Sequence, residues 1–318
     1  MIIDYSIFYR CTLDIKSLEN SIPYDIFISA FNSAVRVRSV FDKTPAIRKI
    51  WLIHPEYKYE ENELPNSGEL VQPLQNGELE QIQALLEATG DLVGLRVCID
   101  ITGFMRHVLV FLIAKLNTLG VNNFTAVYSE PEAYSKQEAT IFSNQSTGKV
   151  RSIAGMRLSN NEHAQDVLLL GVGFDHTLIN EIMNNKDHFV VYPILGFPPL
   201  SPDMFQQSAI RASNSGGPAL EDAWITNRRF APANDPFATA GVVAELLRKM
   251  DKTQPLPPNI YLSPLSTKVQ ALGFAIYWVL EGKRRGAVSM LLPECESYSK
   301  ETSTGLKRLW TYEVELAV

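Results

Sequence analysis

Four segments of the chain repeat one order of hydrophobic and polar positions. Each begins with an apolar run, continues through a short polar loop and a helical apolar stripe, and ends in a second apolar run. The segments are residues 24–57, 95–136, 166–202 and 259–300. Their apolar runs are rich in β-branched and aromatic residues, which is typical of buried strands. The alternation of such strands with helices predicts parallel sheets joined by right-handed crossovers.

One longer amphipathic pattern lies between the first and second segments, and another lies between the third and fourth. Residues 77–89 and 235–250 both carry apolar positions at the i, i+3, i+4 spacing of a helix. Each half of the chain therefore contains strand–helix–strand, a helix, and strand–helix–strand. This order predicts two tandem Rossmann-like α/β domains with parallel sheets, 1–155 and 156–318. The polar, loop-rich stretch 147–165 surrounds the predicted boundary.

A repeated seven-residue phrase supports an internal duplication. Residues 130–136 read E-P-E-A-Y-S-K, and residues 294–300 read E-C-E-S-Y-S-K. Five identities are shared, and each phrase follows the last predicted strand of its half. We therefore interpret the chain as a duplicated α/β domain.

Composition and charge restrict the class of partner. The 318 residues are 46% hydrophobic and 20% charged, with a net charge of -6, and neither half is basic, so bulk binding to nucleic acid is not expected. The longest apolar run, 108–114, is too short to cross a bilayer. Residues 1–10 lack the basic region followed by an apolar region that is typical of a signal peptide, so we do not expect one. Cys11, Cys98 and Cys295 lie too far apart for a zinc site or a disulfide framework. We expect a cytoplasmic protein without a structural metal or a membrane anchor.

The loops after two strands carry the first candidate site residues. In open parallel sheets, ligands bind at the carboxyl ends of the strands near the switch point. The residues that we single out in the loops "DITGFMR" and "LSPLSTK" are Asp100, Thr102, Gly103, Arg106, Ser263, Ser266, Thr267 and Lys268. Each loop combines a hydroxyl, the N–H groups of a helix start and one cation, which suits an anion and especially a phosphate. The alternative is that the hydroxyls cap the helices and the cations pair with surface carboxylates.

The stretch C-I-D-I-T-G-F-M-R, followed by an apolar helix, resembles the strand–loop–helix of CARF-type Rossmann domains. Thr102, Gly103 and Arg106 match the Thr-Gly loop and the basic residue of that family, and Phe104 replaces its second glycine. CARF-type domains sense cyclic oligonucleotides in CRISPR-associated and related defence systems. The resemblance therefore implies a nucleotide-like ligand and a role in bacterial anti-phage defence.

The glutamates of the repeated phrase are the candidate catalytic carboxylates. Glu130 and Glu132, like Glu294 and Glu296, alternate along an extended chain, so both carboxylates of a pair would face one side. Such pairs would serve acid–base chemistry or bind Mg²⁺. They would equally well pair with the loop cations and hold the loops in shape.

Four further residues lie near the predicted ligand-binding end of a sheet. His54 follows a strand and His176 opens a helix, so each is a candidate general base or a surface or capping residue. Tyr134 and Tyr298 of the repeated phrases would stack on a base.

A long insert, residues 197–237, is rich in Pro, Gly and Asn and lacks a periodic pattern. Segments of this length in a compact domain are usually functional or disordered. The large apolar residues Trp224, Phe230 and Phe237 favour packing over disorder. We expect the insert to cover the site or the interface between the domains.

Three functions are consistent with these patterns. The first is a binding or sensor protein that holds a phosphate-bearing, nucleotide-like ligand in a cleft between the halves through Arg106 and Lys268. The second is a nucleotide- or NAD-hydrolysing enzyme that uses the paired glutamates. The third is an interaction subunit of a larger complex without a small ligand. The pattern specifies no cofactor and leaves a protein partner or a homo-oligomer open.

Overall fold

The computed structural model describes residues 2–134, 143–157, 159–185, 189–201, 204, 206, 210, 222–300 and 303–317. Strands and helices alternate along the chain, and the chain forms two compact units. One unit joins Phe8–Gln145 to Cys295–Val318, and the other joins Met1–Ile7 to Ser146–Glu294. We call them the seven-stranded unit and the six-stranded unit after their main sheets.

The elements are numbered in chain order. The strands are β1 (Arg10–Leu13), β2 (Tyr24–Ala30), β3 (Ala46–Leu52), β4 (Glu69–Val71), β5 (Val97–Asp100), β6 (Asn123–Glu130), β7 (Ala133–Tyr134), β8 (Ser143–Ser152), β9 (Asp166–Val172), β10 (Val190–Gly196), β11 (Arg229–Ala231), β12 (Asn259–Pro264), β13 (Val288–Tyr298), β14 (Ser303–Thr304) and β15 (Arg308–Glu315). The α-helices are α1 (Ile15–Glu19), α2 (Val35–Lys43), α3 (Glu78–Thr89), α4 (Arg106–Thr118), α5 (His176–Met183), α6 (Asp222–Asn227), α7 (Pro236–Thr253), α8 (Lys268–Tyr277) and α9 (Lys283–Arg285). Short 3₁₀ helices occur at Tyr5–Ile7, Pro55–Tyr57 and Glu61–Glu63, and a π-helix occurs at Trp278–Gly282.

The seven-stranded sheet has the order β1-β15-β6-β5-β2-β3-β4 among the described residues. Its five strands from β6 to β4 are parallel, whereas β15 is antiparallel to β6 and β1 is antiparallel to β15. Counted along the chain, the parallel strands lie in the order third, second, first, fourth, fifth. This is the doubly wound Rossmann order, and its switch point falls between β2 and β5.

The six-stranded sheet repeats this order. Its described strands lie in the sequence β11-β10-β9-β12-β13-β8, and the five from β11 to β13 are parallel. The switch point here falls between β9 and β12. The predicted fold class, two Rossmann-like α/β domains with largely parallel sheets, is confirmed, and the shared strand order is what the predicted duplication would produce.

The path of the chain adds a feature that was not predicted. After β6 and the short β7, the chain enters β8, which lies beside β13 in the six-stranded sheet. After β13 and the short β14, the chain enters β15, which lies beside β6 in the seven-stranded sheet. Each sheet is therefore completed by a strand that comes next in sequence after the fifth strand of the other. The compact units consequently differ from the predicted ranges 1–155 and 156–318, because the C-terminal segment belongs with the first Rossmann-like sheet.

Aromatic packing forms the core on one side of the seven-stranded sheet. Phe41 of α2 stacks on Trp51 of β3 with 3.7 Å between ring centroids, and Phe27 of β2 meets Phe41 edge-on at 5.6 Å. Cys98 of β5 is fully buried in the same cluster. This core fixes β2, β3 and β5 against one another and so positions the loops at their carboxyl ends.

Candidate functional site

The loop after β5 passes directly against the end of β2. A Cβ atom added at Gly103 would lie 1.9 Å from the carbonyl oxygen of Ala30. Only a residue without a side chain allows the two backbone segments to approach this closely. The glycine of the predicted site therefore has a steric function: it allows the loop after β5 to pass against the end of β2 at the switch point.

Asp100 and Thr102 form hydrogen bonds within the protein interior. The Asp100 carboxylate accepts from Ser29 Oγ at 3.0 Å and from the backbone N–H of Thr102 at 3.0 Å. Thr102 Oγ1 in turn accepts from the backbone N–H of Ser129 at 2.9 Å. Asp100 is fully buried, and this burial raises its pKa. These two predicted ligand-binding residues thus hold the loop to the ends of β2 and β6.

Arg36, on the first turn of α2, is a member of this region that the sequence analysis missed. Its Nε donates to Ser303 Oγ at 3.1 Å, and its Nη1 donates to the carbonyl oxygen of Ser129. Its charge also lowers the pKa of Asp100, although burial is the larger effect there. The signal for Arg36 in the sequence is a cation at the start of the helix that follows the first parallel strand, β2. Arg106 has the same kind of position after the fourth parallel strand, β5.

Arg106 and Tyr298 both belong to the seven-stranded unit. Arg106 is the first residue of α4, and Met105 precedes it without a side-chain capping bond. Tyr298 ends β13, and burial, together with the adjacent Cys295, raises its pKa well above the ordinary tyrosine value. The charge of Arg106 acts on the same phenol in the opposite direction. The two predicted ligand-binding residues are therefore linked by a long-range electrostatic effect within the seven-stranded unit.

His54 supports the start of α4. It is fully buried, and its Nε2 accepts from the backbone N–H of Met105 at 3.1 Å. Its Nδ1 lies 2.6 Å from Gln81 Oε1 and therefore carries the proton. Both ring nitrogens are engaged within the protein, an arrangement that positions the start of the helix.

Glu56 continues the buried network below the start of α4. Its carboxylate accepts from Gln81 Nε2 at 3.1 Å and lies 3.2 Å from His107 Nε2. Burial alone would raise the pKa of Glu56. The hydrogen bond from His107 and the electrostatic attraction of that ring outweigh burial, so that the pKa lies below its ordinary value.

The lowered pKa of Glu56 predicts a loss of stability in acid. An acid whose folded-state pKa is depressed contributes stability above its unfolded pKa, about 4.3 for glutamate, and loses that contribution as the pH falls through the folded value. We expect Glu56→Gln to flatten the decline of the unfolding free energy below about pH 4.3. Urea unfolding between about pH 3 and pH 6 measures this slope. The exposed Glu61→Gln provides the control. An unchanged acid slope in Glu56→Gln would contradict the assignment.

The first pair of repeated glutamates does not share one environment. Glu130 is buried, with its carboxylate 3.2 Å from Lys307 Nζ and 3.1 Å from Trp310 Nε1. Glu132 is exposed. The prediction that both face one side is wrong because β6 ends at Glu130, so the alternation of a strand does not extend to Glu132. The cation that Glu130 pairs with is Lys307 of the C-terminal segment.

The two glutamates of the second repeated phrase differ in their partners, and Tyr134 of the first phrase lies on a short strand of its own. Glu294 pairs with Arg151 at 2.6 Å, whereas Glu296 is exposed. Tyr134 lies on β7 opposite Ser303. The side chain of Tyr134 is outside the described part of the structure.

The corresponding loop of the six-stranded unit repeats the close backbone contact. A Cβ atom at Gly173, after β9, would lie 2.1 Å from the carbonyl oxygen of Leu265, after β12. Thr267 caps α8, since its Oγ1 accepts from the backbone N–H of Gln270 at 3.1 Å and donates to the carbonyl oxygen of Ala233 at 2.8 Å. Capping, one of the two interpretations of the loop hydroxyls, therefore accounts for Thr267.

The remaining candidates of this unit differ in exposure. Ser263 and Ser266 are buried, and Lys268 is the half-buried first residue of α8. His176 is the exposed first residue of α5, where Asp175 supplies the capping carboxylate. Lys268 thus occupies in its unit the position that Arg106 occupies in the other, at the start of the helix that follows the fourth parallel strand.

The described part of the insert is folded. Strand β11 joins the six-stranded sheet, and Trp224 of α6 and Phe237 of α7 are buried, whereas Phe230 is exposed. Residues 202–203, 205, 207–209 and 211–221 of the insert lie outside the described residues. Its role as a cover stays a prediction.

Among the described residues, no group of three or more His, Cys, Asp or Glu side chains is arranged to hold a metal ion. In the same residues, every helix is too short or too polar to cross a bilayer.

No protein-family model matches the chain, and no curated protein or solved structure matches it either. The resemblance of Thr102, Gly103 and Arg106 to the CARF-type loop therefore stays a prediction.

Proposed function

We propose that the chain is a binding or sensor protein for a phosphate-bearing, nucleotide-like ligand. The observation that carries the proposal is the position of Arg106, the first residue of α4, at the switch point between β2 and β5. Doubly wound sheets bind ligands at this point, and a helix start offers backbone N–H groups to a phosphate. A guanidinium at the same place adds a two-point donor for phosphate oxygens.

Aromatic side chains near the same sheet end suit a nucleobase. Tyr59 follows β3, and its hydroxyl accepts from the backbone N–H of Ser33, which follows β2, at 3.2 Å. Lys300 Nζ lies 4.8 Å from the centre of the Tyr59 ring and pairs with Glu63. This end of the sheet thus combines a ring face with a cation, and aromatic stacking is the usual means of holding a base.

The role in anti-phage defence rests on the resemblance to CARF-type domains. Thr102 and Gly103 serve the architecture of the loop, and Arg106, the first residue of α4, is the member of the triplet to which we assign the ligand contact. In the six-stranded unit, Lys268 has the corresponding position and is the candidate for a second phosphate contact.

A panel of mononucleotides, dinucleotides and cyclic oligonucleotides is expected to contain a compound that raises the melting temperature. A ligand present at 100 times its dissociation constant stabilises the folded state by about 2.7 kcal/mol. We expect Arg106→Ala and Lys268→Ala to reduce or abolish this shift. Lys115→Ala is the control, because it removes a cation from the other end of α4. Absence of any shift in the unsubstituted protein, or an equal shift in all variants, would refute the proposal.

The hydrolase alternative lacks a comparable observation. Glu130 is tied to Lys307 and Trp310, and its partner Glu132 is exposed on the chain beyond β6. Turnover assays with nucleotides and NAD test this alternative. Turnover that is lost in Glu130→Gln while the protein stays folded would favour the enzyme.

A further inference from the structure

A polar cavity of about 210 Å³ lies between α7 and the helical segment that begins with α8 and ends at Arg285. Its polar lining consists of Arg248, Asp251, Tyr277, Glu281, Arg284 and Arg285. Both helices reach it with their C-terminal ends. The cavity thus lies at the opposite end of α8 from Lys268 and is separate from the switch-point loops.

A π-helix positions one side of this cavity. Tyr277 is the last residue of α8, Glu281 lies within the π-helix Trp278–Gly282, and Arg284 follows in α9. All three line the cavity. Single-turn π-helices occur frequently at functional sites because they redirect side chains from the regular helical spacing.

The two carboxylates of the cavity already have partners. Arg285 binds Asp251 at two points, with Nε–Oδ2 at 2.9 Å and Nη2–Oδ1 at 2.7 Å, and its Nη2 also donates to the carbonyl oxygen of Pro258 at 2.9 Å. Glu281 Oε1 accepts from the hydroxyl of Tyr5 at 3.0 Å. The acidic groups are therefore fixed on the wall, and Arg285 is committed to its pair.

Three donor groups of the cavity retain binding capacity. Arg248 uses only Nε, which donates to the carbonyl oxygen of Ala244 at 3.1 Å. Within the described residues, neither the Nη atoms of Arg248, nor the guanidinium of Arg284, nor the hydroxyl of Tyr277 has a hydrogen-bond acceptor. Burial raises the pKa of Tyr277, so its phenol stays protonated at neutral pH and can donate. Donors without acceptors around a net positive cavity are what an oxyanion requires.

We propose that this cavity binds a phosphate group, free or carried by a small molecule, through Arg248, Arg284 and Tyr277. Arg248 and Arg284 supply charge-assisted hydrogen bonds, and the buried phenol supplies a neutral one. The Arg285–Asp251 pair and Glu281 hold the surrounding wall in place.

Calorimetric titration of the full chain with inorganic phosphate, and separately with AMP, tests the proposal at constant ionic strength in a phosphate-free buffer. We expect saturable binding that weakens by about tenfold to a hundredfold in Arg248→Gln and Arg284→Gln, because each loses charged hydrogen bonds. Tyr277→Phe is expected to weaken binding by about fivefold. Lys252→Gln is the matched control, because it removes one exposed positive charge from the last turn of α7 outside the cavity, and binding should stay unchanged.

Binding of inorganic phosphate alone would identify a free-ion site, and binding of AMP with the same dependence on Arg284 would identify a site for a phosphorylated molecule. Both results support the proposal. Absence of binding for both probes would overturn it. Binding that survives Arg248→Gln and Arg284→Gln in a protein that also carries Arg106→Ala would overturn it as well, because the proposed nucleotide site could not account for that binding and an adventitious ion only would remain. Arg284 is exposed, so its variant is expected to fold, and far-UV circular dichroism verifies this. Arg106→Ala should leave this binding intact, which separates the cavity from the proposed nucleotide site.

Discussion

Replacing Gly103 by alanine is expected to destabilise the protein by about 3 kcal/mol, the upper part of the range for forcing extra atoms into a packed site. The new Cβ would lie 1.9 Å from the carbonyl oxygen of Ala30. Ala30 is fully buried at the end of β2, so the carbonyl cannot move without disturbing the sheet. The loop must move instead, and it carries the hydrogen bonds of Asp100 and Thr102. Urea unfolding, followed by circular dichroism, measures the loss.

The same substitution elsewhere provides a control of opposite sign. Gly241 lies within α7, and a Cβ there would meet its nearest atom, Tyr5 Cβ, at 3.6 Å, which is ordinary contact. Alanine is the better helix former, so Gly241→Ala is expected to stabilise the protein by about 1 kcal/mol. A neutral effect of Gly103→Ala would contradict the close contact between the loop and β2.

Replacing Glu130 by alanine is expected to cost about 2 kcal/mol of stability. The ion pair with Lys307 contributes little of this, because Lys307 is exposed and solvent screens its charge. The larger part comes from the hydrogen bond that Trp310 Nε1 donates at 3.1 Å and from the space left by a buried side chain. Because Trp310 lies on β15, the loss weakens the attachment of the C-terminal strand to β6.

Glu132→Ala is the matched control from the same phrase. Its side chain is exposed, so the effect on stability should stay within about 0.5 kcal/mol. If the two glutamates formed a catalytic pair, both changes would instead abolish turnover with little effect on folding. Equal stability of Glu130→Ala and the unsubstituted protein would contradict the structural role that we assign to Glu130.

Much of the fold could be predicted because buried positions are apolar and recur along the sequence with the period of the helix or strand. The apolar stripe at 77–89 corresponds to α3, and the stripe at 235–250 corresponds to α7. The placement of β8 beside β13 and of β15 beside β6 could not be predicted in this way. Hydrophobic periodicity shows which faces of a strand are buried, but it does not show which neighbour the strand pairs with.

The candidate site was predictable where topology decides it. Arg106 and Lys268 do begin the helices after the fourth parallel strands. The inward hydrogen bonds of Asp100 and Thr102 and the contact of Arg36 with Ser129 could not be predicted, because they join residues on different strands and helices that are far apart in sequence. The effect of the Arg106 charge on the pKa of Tyr298 likewise joins residues far apart in sequence.

Direct titration tests the proposed binding at the switch point of the seven-stranded sheet. The nucleotide with the largest thermal shift is titrated calorimetrically into the unsubstituted protein, Arg106→Ala, Arg106→Lys and Lys115→Ala. We expect Arg106→Ala to bind about tenfold to a hundredfold more weakly, Arg106→Lys to recover part of the affinity, and Lys115→Ala to bind normally. Equal affinity in Arg106→Ala and the unsubstituted protein, or no binding of any nucleotide, would contradict a phosphate-binding role of this loop.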